Sequence, residues 1–125
     1  MNILIYGNAR DSELLVQHIR SQACMAFRLL EISQTEDYEE FLNLLRNASY
    51  EIVFVVMDSA SGMEGVIAAK NVQPRAPVIW VSDDKNFVAQ SYRLGVTYFS
   101  VKPIEEKMIG LALQRCQRRE EQIYD

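Results

Sequence analysis

The sequence holds one histidine and two cysteines, and neither residue type forms a catalytic or metal-binding pattern. His18 stands beside Ile19 in the middle of a predicted helix, where partial packing is the ordinary role of a histidine. A Ser-His-Asp triad is therefore not expected. Cys24 and Cys116 lie far apart and fit no metal-ligand spacing, so we expect two reduced thiols in a cytoplasmic protein.

Long apolar runs and basic clusters are also missing. No stretch approaches the ~20 apolar residues of a membrane span, and the segment Met1–Gly7 lacks the basic start of a signal peptide. The net charge is −4 and the pI is near 5.0. Nucleic acids and membrane surfaces attract basic faces, so we expect direct contact with neither. The glycine-rich nucleotide motifs G-x-x-x-x-G-K-[ST] and G-x-G-x-x-G are absent as well.

What the sequence does contain is a regular alternation of strands and helices. Its 125 residues, with 49% hydrophobic and 24% charged, are typical of a single domain spanning residues 1–125. Apolar runs predict five strands, at Ile3–Tyr6, Phe27–Ile32, Ile52–Met57, Val78–Val81 and Val96–Val101.

Helical spacing follows each of these runs. The first helix is predicted to start at a cap in Asp11-Ser12, and the second to start at a capping box from Ser33 to Glu36 and to end near Asn47. A loop at 59–62 should precede the third helix. The fourth helix is predicted over Asn86–Arg93 with Gly95 as its C-cap, and the last over Glu105–Glu120. Five strand–helix units without hairpin signals indicate an α/β fold, with a parallel sheet covered by helices on both faces.

In such a sheet, ligands bind where the strands end. Asp58, Ser82 and Lys102 each follow a predicted strand and should meet at one edge. A carboxylate, a hydroxyl and an ammonium suit a phosphoryl group carried on the carboxylate. The alternative is that Lys102 only neutralises a nearby acid and that Ser82 only caps the fourth helix.

Three segments resemble the receiver domain of bacterial response regulators, in the CheY-like superfamily. Asp58–Gly65 is similar to the segment in which the phosphorylated aspartate precedes a Met-Pro-Gly-Met-Asp-Gly loop. Ala76–Ser82 resembles the family's fourth strand with its Ser/Thr, and Gly95–Pro103 resembles its Gly-Ala-x-x-Tyr-x-x-Lys-Pro segment. The resemblance implies a doubly wound (βα)5 fold, a three-layer sandwich with strand order 2-1-3-4-5. The stretch from Ser82 to Gly95 looks most like receivers that precede LytTR-type DNA-binding domains; such a domain would then follow Asp125.

The resemblance also implies roles for single residues. Asp58 is the candidate phosphoacceptor, Lys102 would contact the phosphoryl group, and Ser82 would hydrogen-bond it in the active state. Phe99 falls where the family places the aromatic that swings inward on activation. Simple core packing is the alternative for Phe99.

Two features indicate a degenerate pocket. The positions of the two acids that hold Mg²⁺ in receivers read Gly7 and Asn8, and Mg²⁺ prefers carboxylate oxygens. Counting back without gaps from Gly62–Gly65 places Met57, not Asp58, at the acceptor position. A one-residue shift turns a strand side chain to the other face, whereas a bulge or a shortened loop would restore Asp58.

Two functions follow, and neither is enzymatic beyond self-catalysed transfer to the domain's own aspartate. The first is a phosphorylation-independent pseudo-receiver without cofactor, which docks partners or dimerises through its fourth helix, fifth strand and last helix. It would regulate an attached or partner output domain, and through it transcription. The second is a conventional switch, in which a histidine kinase or other signalling protein phosphorylates Asp58 with weakly bound Mg²⁺. An unrelated flavodoxin-like enzyme or ligand binder is a third class, which no catalytic constellation supports.

Overall fold

The computed structural model describes residues 1–124, with side chains described through residue 118. Strands and helices alternate along the whole of this range. The strands are β1 (Asn2–Tyr6), β2 (Glu31–Thr35), β3 (Ile52–Val55), β4 (Val78–Ser82) and β5 (Tyr98–Val101). The helices are α1 (Ala9–Ser21), α2 (Tyr38–Asn47), α3 (Ser59–Val72), α4 (Val88–Leu94) and α5 (Glu106–Tyr124), with short 3₁₀ turns at Ala23–Met25 and Lys85–Phe87.

The strands form one parallel sheet in the order β2-β1-β3-β4-β5. The predicted α/β fold and strand order are thereby confirmed. The chain first builds outward from β1 to β2 and then crosses back to β3 on the other side of β1. This reversal places a crevice at the carboxyl ends of β1 and β3, where open α/β sheets bind ligands.

Apolar side chains cover both faces of the sheet. Phe54 of β3 packs with α1 and α5 on one face, whereas its neighbours Val53 and Val55 pack with α2 and α3 on the other. All four residues of β3 are buried, which explains why the central strand reads as a continuous apolar run. None of the helices in the described part of the chain combines the length and apolar character that crossing a bilayer requires.

The predicted second strand was wrong in position. Phe27–Ile32 is largely an exposed connection in which Phe27 is 102% and Leu29 81% exposed, and the strand runs over Glu31–Thr35 instead. β2 lies at the edge of the sheet and is buried mainly at one residue, so it needs no apolar run to mark it. The predicted capping box was also wrong, because Asp37 is the N-cap of α2 and accepts from the Glu40 N–H at 3.0 Å.

Two helix starts differ from prediction near the crevice. α1 begins at Ala9 with Asn8 as its N-cap, so Asp11 lies inside the first turn and does not precede the helix. α3 begins at Ser59, immediately after Asp58, where the sequence predicted a loop over 59–62. The first turn of α3 packs tightly against the end of β3, because a Cβ built on Gly62 would overlap the Met57 carbonyl oxygen. The predicted Gly95 cap is confirmed by a left-handed φ of 68°.

Candidate functional site

Lys102 occupies the centre of the candidate site. Its Nζ lies 2.6 Å from Asp58 Oδ1 and 2.7 Å from Asp11 Oδ2. The side chains of Lys102 and Asp11 are 18% and 23% exposed, whereas that of Asp58 is 47% exposed. One ammonium therefore pairs with two carboxylates, the inner one on α1 and the outer one after β3.

These contacts keep Lys102 charged. Burial alone would lower the pKa of Lys102, but hydrogen bonds to Asp11 and Asp58, together with their charges, raise it above its ordinary value. The backbone holds the residue in place, since the Lys102 N–H donates to the Ser82 carbonyl at 2.8 Å. The ammonium is thus a permanent positive charge at the edge of the sheet at neutral pH.

The short connection between β3 and α3 places the side chains of Met57 and Asp58 differently. Met57 packs against the core under α2 and α3, while Val56 faces the opposite side. Asp58 comes next and directs its carboxylate toward Lys102. Ser59 then adopts a left-handed φ of 55°, unusual for a residue other than glycine, as the chain turns directly into the helix. Of the two candidates, Asp58 is thus the residue whose side chain reaches Lys102.

The degenerate metal positions have different roles in the structure. A Cβ built on Gly7 would lie 3.1 Å from Val56 Cβ and 3.3 Å from Ser12 Oγ, so this position is packed closed. Asn8 serves helix α1: its Oδ1 accepts from the Asp11 N–H at 2.8 Å, and its Nδ2 donates to Asp11 Oδ2 at 3.1 Å. Neither residue offers a carboxylate to a metal ion.

The carboxylates that Mg²⁺ would need at this site are already paired with an ammonium. Among the described residues, no group of three or more His, Cys, Asp or Glu could hold a metal. The two carboxylates that converge here, Asp11 and Asp58, already flank the Lys102 ammonium. Mg²⁺ requires near-octahedral oxygen coordination, and an ammonium this close to both carboxylates would compete with it for them.

Asp11 is the site residue that the sequence reasoning missed. It was expected to start the first helix, and its contact with Lys102 comes from a helix that begins two residues earlier. A detectable signal existed, because Asn8 is a favourable N-cap and an acid three residues later lies at the helix entrance. Only the arrangement of α1 over the sheet shows that this acid reaches Lys102.

Ser82 is brought to the same edge but engages its own loop. The buried Ser82 hydroxyl accepts from the Asp84 N–H at 3.1 Å and donates to Asp83 Oδ1 at 3.4 Å. Asp83 Oδ1 also accepts from the Ser59 N–H at 2.9 Å. The pKa of Asp83 is lowered chiefly by this hydrogen bond from Ser59. The Ser82 hydroxyl and the charge of Lys102 lower it to a lesser extent. The loop after β4 is thereby joined to the start of α3.

Phe99 lies on β5, three residues before Lys102. Its ring is partly buried and meets Trp80 edge-on, with centroids 5.2 Å apart and an interplanar angle of 80°. Trp80 is fully buried and also contacts Phe87, at 5.3 Å. The switch role of Phe99 stays a prediction, and its packing on Trp80 is the contact the structure provides.

Comparison with known proteins places the fold. No protein-family model matches the sequence, and no curated protein gives a significant match. Similar solved structures include a candidate CpaE2 pilus assembly protein of Sinorhizobium meliloti 1021, with 20% identity over 93% of this chain and 99% of that one, at a TM-score of 0.74.

Two further structures are described as response regulator proteins or domains. The response regulatory domain of mrkE from Klebsiella pneumoniae is 18% identical over 98% of this chain and 99% of that one, with a TM-score of 0.75. TrrA from Thermotoga maritima, in complex with Mg²⁺-BeF, is 18% identical over 92% and 97%, with a TM-score of 0.72. The chain therefore has the fold of the CheY-like receiver domains of response regulators.

Proposed function

We propose that this chain is a receiver-like module of two-component signalling that acts without phosphorylation, by docking onto a partner or an output domain. The observation that carries this proposal is the sharing of Lys102 between Asp11 and Asp58. Phosphoryl transfer requires positive charge to stabilise the oxygens of the transferred group. Here the single ammonium is already divided between two carboxylates.

The wider charge balance supports the same proposal. Asp11 and Asp58 contact one ammonium, and Asp83 lies close enough to feel its charge, which leaves an excess of negative charge around Asp58. A phosphoryl donor is itself negatively charged and would be repelled. Gly7 and Asn8, which would have to supply metal ligands to offset this charge, are committed to packing and helix capping.

The docking surface that we propose is the face formed by α4, β5 and α5. Val88, Tyr92 and Phe99 line one groove on this face, and Tyr92 is 86% exposed. An exposed aromatic beside apolar neighbours is typical of a protein-binding surface. A signalling protein such as a histidine kinase, an attached output domain or a second copy of the chain would bind here, without enzymatic activity of the domain.

A second candidate function is the conventional phospho-switch on Asp58. The observation in its favour is the 2.6 Å contact between Asp58 and Lys102, which brings the candidate acceptor to the residue that would hold a phosphoryl group. The half-exposed Asp58 carboxylate is also within reach of a donor. Similar structures have been solved with Mg²⁺-BeF and, in a Burkholderia pseudomallei regulator, with a phosphorylated aspartate.

The two functions are separated by a phosphorylation test. The wild-type protein and Asp58→Asn are incubated with acetyl phosphate and Mg²⁺, and separately with beryllofluoride, beside a conventional receiver as positive control. We expect intact mass and amide NMR spectra of the wild type to stay unchanged. A phosphoryl adduct on the wild type that is missing from Asp58→Asn would contradict the proposal and establish the switch.

A further inference from the structure

Asp83 bridges two elements of the candidate site from the loop that follows β4. Its Oδ1 accepts from the Ser59 N–H at 2.9 Å and from the Ser82 hydroxyl at 3.4 Å. Ser59 is the residue after Asp58, and Ser82 is the residue that the receiver resemblance assigns to the phosphoryl group. The carboxylate of Asp83 therefore occupies donors that lie directly beside the candidate acceptor.

The contact with Ser59 fills a gap at the start of α3. The first amides of a helix have no acceptor within the helix, and the N-cap side chain usually supplies one. Asp58 is the N-cap of α3 but makes no capping hydrogen bond with its side chain, which contacts Lys102 instead. Asp83 provides the missing acceptor from another loop, and a carboxylate at a helix N-terminus is electrostatically favourable.

We propose that Asp83 is an internal oxyanion, whose carboxylate holds the Ser59 N–H and the Ser82 hydroxyl in place of a phosphoryl group and so fixes the loop after β4 without phosphorylation. This inference rests on the proposed function, because it supplies the means by which an unmodified domain keeps one conformation. Asp83 is a positioning residue in this scheme. It hydrogen-bonds the two donors and acts on the rest of the domain through the loop after β4, whose position it fixes.

The effect would reach the proposed docking face through the segment between Asp83 and α4. Asp84 caps the 3₁₀ turn by accepting from the Asn86 N–H at 2.8 Å, and that turn ends at Phe87. The Phe87 ring packs on Trp80, and Val88 then begins α4 and lines the docking groove. Release of Asp83 should therefore alter the surroundings of Trp80, which is the only tryptophan in the sequence.

A matched pair of variants tests this role. Asp83→Asn and Asp84→Asn each remove one negative charge from the same loop, and Asn at position 84 retains an oxygen that can cap the turn. Asp83→Ala removes the acceptor completely at an exposed position, where the fold should be retained. The readouts are hydrogen exchange at the Ser59 amide, measured by NMR, and the fluorescence emission of Trp80.

We expect exchange at the Ser59 amide to become about tenfold faster or more in Asp83→Ala, the equivalent of a hydrogen bond to a charged group. Asp83→Asn should show a smaller acceleration in the same direction, and Asp84→Asn none. Trp80 emission should shift in both Asp83 variants only. Asp83 is faced by Lys102 and Ser82 and adjoins Asp84, while Ser59 follows Asp58. In the wild type, one component of the Ser59 amide shift should therefore titrate at acid pH with Asp83, and that component should be missing from Asp83→Asn, which leaves Asp58 and Asp84 unchanged.

The inference is overturned if Ser59 exchange in Asp83→Ala equals that of the wild type, or if Asp84→Asn produces the same changes as Asp83→Asn. It is also overturned if Ser59 responds but Trp80 emission does not. Failure of the proposed function looks different. An Asp58-dependent adduct from acetyl phosphate would refute phosphorylation-independent action, whereas unchanged Ser59 exchange with no adduct would refute only the role of Asp83.

Discussion

The Asp58 carboxylate lies 2.6 Å from the Lys102 ammonium although their strands, β3 and β5, are separated in the sheet by β4. The same ammonium reaches Asp11 on α1 at 2.7 Å. Lys102 therefore ties together three segments that are distant in sequence. Without it, two carboxylates would face each other across the space that it fills, and this arrangement determines how substitutions at the site should behave.

Lys102→Met should lower the free energy of unfolding by about 1–3 kcal/mol at pH 7, because removing one partner of a partly buried ion pair leaves the others uncompensated. Urea unfolding at pH 7 measures this change. Lys107→Met on α5 is the control, since Lys107 is exposed and its loss should change stability by less than about 0.5 kcal/mol. Equal stability of the two variants would contradict a central role for Lys102.

The two ion pairs of Lys102 should differ in strength. Asp11 is 23% exposed and also accepts from the Asn8 amide, whereas Asp58 is 47% exposed. Double-mutant cycles that combine Lys102→Met with Asp11→Asn or with Asp58→Asn measure each coupling energy. We expect about 1 kcal/mol or more for Asp11 and a smaller value for Asp58, since solvent screens exposed pairs. A coupling energy to Asp58 larger than that to Asp11 would contradict this expectation and show that the more exposed pair contributes more to stability.

The raised pKa of Lys102 predicts a loss of stability at alkaline pH. A lysine with a raised pKa binds its proton more tightly in the folded state, so its contribution is complete below its ordinary value of 10.5 and is lost as pH rises through the folded value. The pKa of Tyr6 is raised as well, chiefly by burial, and adds an effect of the same sign.

Lys102→Met isolates the lysine part of this effect. The free energy of unfolding, measured by urea titration at a series of alkaline pH values, should fall more steeply above pH 10.5 for the wild type than for the variant. Tyr6 is present in both proteins and cancels in the comparison. Parallel curves would mean that the Lys102 proton is not held by its contacts with Asp11 and Asp58.

The sequence predicted those features that depend on local patterns. Buried strands such as Ile52–Val55 are apolar throughout, and Gly95 marks a left-handed helix end, so the order of the elements could be inferred. The edge strand β2 could not, because the apolar Phe27 and Leu29 beside it are exposed. Such a strand needs little apolar surface, so hydrophobicity is a poor guide to its position.

The candidate site was predictable only in part, for a geometric reason. Strand ends reveal Asp58 and Lys102, because parallel strands finish at one edge. The contacts made by Asp11 and Asp83 depend on where helices begin, and a shift of a few residues in a helix start decides which side chain faces the crevice. Asn8 gave a local signal for the start of α1, whereas the start of α3 is fixed by tertiary packing at Gly62 and has no such signal.

The closed packing at Gly7 predicts that an acid cannot simply be restored there. Gly7→Asp should lower the free energy of unfolding by about 1–3 kcal/mol, because its Cβ would lie 3.1 Å from Val56 Cβ and 3.3 Å from Ser12 Oγ. Asn8→Asp should cost less, about 1 kcal/mol, since Asp also caps helices but cannot donate to Asp11. Urea unfolding compares the two variants, and a Gly7→Asp protein as stable as the wild type would show that the pocket opens readily.

Gly62 should tolerate no side chain, because it sets the start of α3 beside Asp58. A Cβ there would overlap the Met57 carbonyl oxygen and lie 3.0 Å from Trp80 Nε1. The backbone oxygen has little freedom to move, so Gly62→Ala should lower the free energy of unfolding by about 3 kcal/mol, near the upper end of overpacking effects. The displaced helix start should also shift the amide resonance of Ser59.

Gly110→Ala is the matched control, since Gly110 lies inside α5 and a Cβ built there would meet only the side chain of Gln22, at 3.0 Å from its Oε1, and no backbone atom. Glycine within a helix costs about 0.5–1 kcal/mol relative to alanine, so this variant should be as stable as the wild type or more stable. The Tm should therefore fall for Gly62→Ala and stay unchanged or rise for Gly110→Ala. If Gly62→Ala instead unfolded like the wild type, α3 would have to begin farther from β3, and the contact of Ser59 with Asp83 would lose its structural basis.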